Sequence, residues 1–103
     1  MIPFVMINLD KPRRLRFGMS AMLEFEQLTG LKLMELSVTP ETYAKVLWVM
    51  LKQDDPDITL KQTAELVDDY AESVVDVIQI VDGLMDSVFP KVKDPNAKAP
   101  AAQ

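Results

Sequence analysis

The stretch Leu15-Arg16-Phe17-Gly18-Met19-Ser20-Ala21-Met22-Leu23-Glu24-Phe25-Glu26-Gln27-Leu28-Thr29-Gly30 decides how this chain folds. Leu15 and Phe17 alternate with Arg14 and Arg16, so an extended segment here has one apolar and one charged face. Gly18 permits a change of direction that a residue with a Cβ resists. Ser20 is the expected N-cap and Gly30 the expected left-handed C-cap, which bounds a short helix over residues 20–29. Within it Ala21, Met22, Phe25, Leu28 and Thr29 share one face at helical spacing, while Glu24 and Gln27 look outward. The expected unit is a strand end, a hinge and one capped helix.

Toward the N-terminus, residues 2–9 form a short apolar run with β-branched and aromatic content, and residues 10–13 supply turn chemistry. Together with residues 14–17 they predict a β-hairpin over residues 2–17, with Pro3 tolerated only at a strand start or edge. An isolated hairpin is marginal in water, so this one must lean on helices or pair with another chain. An unpaired strand edge is a template for strand addition, which makes self-association through the hairpin edge an expectation.

Toward the C-terminus, the connector Leu31–Leu36 is too rich in leucine to be left in water and is expected against the core. Thr39 and Pro40 start a helix over residues 40–53, with Tyr43, Val46, Leu47, Met50 and Leu51 as its buried stripe and Trp48 beside it. Glu41 favours the positive end of its dipole. Thr59 and Gln62 make a capping-box pattern for a helix over residues 60–72, facing inward with Leu60, Ala64, Val67 and Tyr70 or Ala71. Ser73 with Asp76 marks a break. The last helix, residues 74–89, buries Val74, Val77, Ile78, Val81, Leu84, Met85 and Val88. Gly83 inside it suggests close approach by a neighbour, since glycine there costs about 1 kcal/mol relative to alanine. Residues 91–103 have little to bury and read as a disordered tail. The fold class is therefore α+β and mostly α: a small hairpin packed on four short helices, in a single domain over residues 1–90.

Composition narrows the chemistry. The chain has 103 residues, no cysteine and no histidine. Disulfides and thiolate metal sites are excluded, and the commonest general base and metal ligand are missing. No apolar run approaches the length of a membrane span, and Met1–Leu9 lacks the layout of a signal peptide, so a reducing cytoplasm is the expected compartment. The net charge of −5 hides an asymmetry. Residues 1–16 balance to +3, residues 17–90 to −10 and the tail after Pro90 to +2. Such an acidic body repels phosphate backbones, which argues against nucleic acid as a partner.

Several residue groups invite chemical readings. A calcium loop counted from Asp54 places Glu65 at its last position, but Pro56, Ile58 and Thr59 then stand where oxygen ligands and a glycine are required. Asp54-Asp55-Pro56-Asp57 reads instead as a solvated inter-helix turn. Asp68 and Glu72 share a helix face without a nucleophile or phosphate loop nearby. Glu26 has Met22, Leu23 and Thr29 around it on the helical wheel and is expected half-buried and paired, with Arg16 as candidate. The remaining candidates are contacts with another protein: Arg13, Arg14 and Arg16 on the hairpin, and Met19, Met22 and Trp48 as apolar anchors. For Trp48 core packing competes with the interface reading, and for the arginines a plain charged strand face does. No catalytic, cofactor-binding or metal-ligating residue is expected.

The opening stretch also resembles one known family, the small tail assembly chaperones of long-tailed bacteriophages and related prophages. The positions that carry the resemblance are Arg16, Phe17, Gly18, Leu23, Glu26, Leu28 and Gly30. It covers residues 13–36 closely and extends more loosely to residue 70. The resemblance implies the short form of such a chaperone, binding the tape measure protein and often tail tube subunits in the host cell cytoplasm and leaving before the virion is complete. The alternative expectation is a small helical DNA-binding regulator, with the arginines as phosphate contacts.

Overall fold

In the computed structural model, residues 4–35 and 39–88 are described. The order is β1 (Val5–Asn8), β2 (Pro12–Leu15), α1 (Met19–Thr29), a 3-10 turn (Leu33–Glu35), α2 (Pro40–Lys52), α3 (Leu60–Tyr70) and α4 (Val74–Val88). This is the α+β, mostly α architecture read from the sequence. The expectations for Pro3, Leu36, the side chain of Val88 and the tail after Pro90 fall outside the described residues.

The two strands pair antiparallel, Val5 opposite Leu15 and Ile7 opposite Arg13. Pro12 takes the first position of β2, where its missing N–H does least harm. Side chains opposite one another share a face, so Ile7, Leu15 and Arg13 all turn toward the helices. Leu15 is completely buried, and so is Phe17 two residues on.

α1 begins about half a turn earlier than the sequence predicts. Gly18, not Ser20, is the N-cap: its backbone is extended, its carbonyl accepts from the Met22 N–H at 2.9 Å, and no side chain caps the helix. The hinge residue thus also starts the helix, and Ser20 lies inside the first turn. The C-terminus agrees with expectation. Gly30 is left-handed at φ +73° and its N–H donates to the Glu26 carbonyl at 2.9 Å. The Glu26 carboxylate works at the same end, accepting from the Leu33 N–H at 3.0 Å. Its half-buried position is as predicted, but its partner is the connector backbone rather than Arg16. Glu24 is also turned inward from expectation: its Oε1 accepts from Gln53 Nε2 at 2.9 Å, tying α1 to the end of α2. Ala21 and Phe25 are buried, whereas Leu28 stays about half exposed.

α2 is the centre of the molecule and touches α1, β2, α3 and α4. Thr39 Oγ1 accepts from the Thr42 N–H and Pro40 stands in the first turn, as the sequence indicates. Val46, Leu47, Val49, Met50 and Leu51 are all buried. Val49 joins the predicted stripe because the hairpin and α1 cover a second side of the helix, so the apolar arc spans about 200° at 3.6 residues per turn. α3 carries the predicted capping box between Thr59 and Gln62. Its inward face centres on Thr63, which is completely buried. The Thr63 hydroxyl donates to the Thr59 carbonyl at 3.0 Å, so it is satisfied within the helix and the residue packs as a small apolar one. Of the expected Tyr70 or Ala71, it is Ala71 that packs against the core, while Tyr70 is about half exposed. α3 ends at Tyr70, and the predicted break follows, with the Ser73 hydroxyl accepting from the Asp76 N–H at 3.3 Å.

In α4, Val77, Val81 and Leu84 are buried, while Val74 and Val75 are more than half exposed. Gly83 does not mark a close approach: a Cβ built there meets nothing within 4 Å. Of the leucine-rich connector, Leu33 packs against the core, but Met34 is 83 % exposed.

The two helical glycines therefore predict opposite outcomes. Gly83→Ala removes backbone freedom from the unfolded chain and meets no atoms, so it should stabilise the protein by about 0.5–1 kcal/mol. Gly30→Ala keeps open space but forces a Cβ into the left-handed region, and should destabilise by about 1–2 kcal/mol. Urea denaturation of both variants measures the two signs.

Candidate interaction surface

The hairpin arginines are the first candidates, and the structure sorts them by partner. Arg13 grips Asp10 through two bonds, Nε to Oδ1 at 3.0 Å and Nη2 to Oδ2 at 2.9 Å, and reaches Asp55 Oδ2 with Nη1 at 3.2 Å. Its side chain is only 10 % exposed. Arg14 makes a forked pair with Asp54, Nη2 to Oδ1 at 2.9 Å and Nε to Oδ2 at 3.3 Å. Both arginines thus clasp the hairpin to the turn that ends α2. The reason is parity combined with the turn: Arg13 faces inward with Leu15, Arg14 outward, and Asp54 and Asp55 follow the last turn of α2 directly. The acidic turn is largely exposed, as the sequence indicates, but two of its carboxylates, Asp54 and Asp55, also receive guanidinium groups of the hairpin.

These pairs leave an electrostatic trace. The hydrogen bond from Arg13 holds the Asp10 carboxyl below its usual value, against a small opposing effect of burial. Asp10 and Asp55 in turn raise Arg13, and Asp54 raises Arg14.

Arg16 differs. It is half-buried and makes no ion pair among the described residues, and it lines a shallow depression together with Met19 and Gln53. Met19 is 70 % exposed. These two predicted contact residues are therefore brought together, with a guanidinium beside a bare thioether. Met22 lies half-buried against the core. Trp48 is also half-buried against the core, its Nε1–H donating to the Ile58 carbonyl at 2.9 Å and Lys52 standing over its ring at 5.6 Å. Arg13, Arg14, Met22 and Trp48 are in this way engaged within the chain, and Arg16 and Met19 face outward. Elsewhere on the hairpin, Met6 on the uncharged strand β1 and Phe4 just before it are about half exposed.

Sequence reasoning missed a second surface. Between α2, α3 and α4 lies an apolar cleft of about 160 Å³, open to solvent and walled by Tyr43, Leu47, Ala64, Val67, Val74 and Ile78. Thr63 also lines it, but with its hydroxyl already satisfied. Carboxylates stand beside the cleft: Asp68 lies in the α3 wall, and Asp82 on α4 accepts from the hydroxyl of the wall residue Tyr43 at 3.1 Å. Partial burial, then this bond and the nearby Asp86, hold the Tyr43 phenol above its ordinary value. The signal in the sequence was the surplus of valine and isoleucine on α4, more than one buried stripe requires.

No helix among the described residues is long and apolar enough to cross a membrane. Comparison with family models, with characterised proteins and with solved structures finds no match to this chain.

The clasp yields an acid-dependent prediction. A carboxyl held lower in the folded state than the ordinary 3.8 adds stability that is complete above the unfolded value and lost as pH falls through the folded one. Asp10→Asn should flatten the stability profile below about pH 4 and leave it parallel to the parent above pH 5. Arg13→Ala should cost about 1 kcal/mol at neutral pH and Arg14→Ala less, because Arg14 is far more exposed. Urea titrations between pH 2.5 and 7 test all three.

Proposed function

We propose that this protein is a tail assembly chaperone of a long-tailed bacteriophage or prophage, in the short form. It acts by contact rather than catalysis: it binds the tape measure protein, and tail tube subunits where these take part, and keeps the long helix-forming client soluble in the host cell cytoplasm until the tail is built. It then leaves, so it is not a component of the finished virion. The observation that carries the reading is the stretch from Arg16 to Gly30. The residues on which the resemblance rests make up the strand-hinge-helix unit, with Phe17 buried, Gly18 as N-cap, Glu26 closing the connector and Gly30 left-handed. The acidic helical surface and the outward pair of Arg16 and Met19 suit a protein that works through reversible contacts.

Self-association through the hairpin edge belongs to the same proposal. β1 offers an uncharged edge, while β2 is protected by Pro12 and its arginines. The DNA-binding alternative is weakened by the clasp, because Arg13 and Arg14 are already neutralised by aspartates.

Co-expression of a tape measure protein from the same gene neighbourhood, with and without this chain, tests the role. The soluble fraction of the client should rise severalfold with the chain present, and Arg16→Glu combined with Met19→Asp should reduce the gain. A client equally soluble without the chain would count against the proposal. Light scattering that shows only monomer over a concentration series would remove the self-association.

A further inference from the structure

We infer that the cleft between α2, α3 and α4 is the seat for an amphipathic helix of a partner protein whose apolar stripe is flanked by lysine or arginine. The proposed function supplies only the word client for that partner; the cleft itself is argued from geometry and charge.

The space comes first. A cavity of about 150 Å³ lined by apolar side chains holds a group the size of benzene, so about 160 Å³ admits one large aliphatic or aromatic side chain. The walls offer it almost no hydrogen-bonding group, since Thr63 has turned its hydroxyl to its own helix. Apolar surface also continues beyond the cleft. Val74, in its wall, is 53 % exposed and Val75 beside it 59 %, and Tyr70 at the end of α3 is 54 % exposed. One anchor in a pocket with a spread of neighbours matches a helix presenting residues at i, i+3 and i+4.

The charge around the seat selects the flanks. From Leu60 to Val88 the sequence has seven acidic residues and one lysine. Asp68 stands in one wall, Asp82 is bonded to the hydroxyl of the wall residue Tyr43, and Asp86 is close enough to act on Tyr43. Carboxylates on the α3 and α4 sides of an apolar floor favour a helix with basic residues bordering its stripe and disfavour an acidic one. A second copy of this chain is a poor occupant on the same ground, since its own helical surface from Leu60 to Val88 is acidic too.

The test uses the full chain and two labelled synthetic peptides of about 18 residues, each with the same leucine stripe, one flanked by lysines and one by glutamates. Fluorescence anisotropy should show the lysine peptide binding at least about tenfold more tightly than the glutamate peptide, a difference that shrinks at high salt. Ala64→Trp, which fills the cleft from α3, and Asp68→Lys should each weaken the lysine peptide about tenfold while thermal unfolding shows both variants folded. Equal binding of the two peptides, or unchanged binding by Ala64→Trp, would overturn the inference. So would a dimer of the parent chain that Ala64→Trp dissociates, which would make a second copy the occupant. Replacing Phe89 and Val92 by serine should leave peptide affinity unchanged; a rise of more than about tenfold would make the chain's own C-terminal segment the occupant. Failure here leaves the co-expression result standing, and a failed co-expression with intact peptide binding removes the client but not the seat.

Discussion

Everything in this molecule is built against α2. Its buried residues, Val46, Leu47, Val49, Met50 and Leu51, occupy far more of the helix than a single stripe. Each partner element is too short to bury its own apolar face alone, and each finds that face covered on a different side of this one helix. A hairpin of two four-residue strands would not persist in water. It persists here because Leu15 and Phe17 are buried in one core with the α2 residues and because two arginines hold aspartates of the turn that follows α2.

The clasp and the core divide the work of specifying that arrangement. Apolar burial supplies the larger energy but little direction. The bonds from Arg13 to Asp55 and from Arg14 to Asp54 add modest energy at partly exposed sites, with strict geometry. A strand shifted by one residue would exchange the environments of Arg13 and Arg14 and break both contacts, so the ion pairs guard the register that Leu15 requires.

Packing is less complete at the other end of the molecule. α4 reaches α2 through Val77, Val81 and Leu84 but leaves Val74 and Val75 in the open and a cleft beside α3. Removing apolar surface from water is favourable wherever a partner can do it, so a surplus of such surface is a mild liability, and the carboxylates beside it would bias what could bind there. The hairpin side is satisfied internally, apart from Arg16, Met19 and the bare edge of β1. Two exposed surfaces thus stand out, one holding Arg16 and Met19, the other apolar with carboxylates beside it.

Local chemistry made much of this legible in advance. The caps at Thr39, Thr59, Ser73 and Gly30, the Pro40 start and the stripe through Val46, Leu47, Met50 and Leu51 depend on neighbours within one or two helical turns, and the sequence by itself determined them. What tertiary structure alone decided is every contact between distant residues. Asp54 and Asp55 lie about 40 residues from the arginines they bind, Glu24 is 29 residues from Gln53, and Val49 is buried only because α2 is covered on more than one side. The cleft belongs to the same class, since it exists only through the relative placement of three helices. Periodicity fixes which way a residue points from its own element, but not which element waits there to meet it.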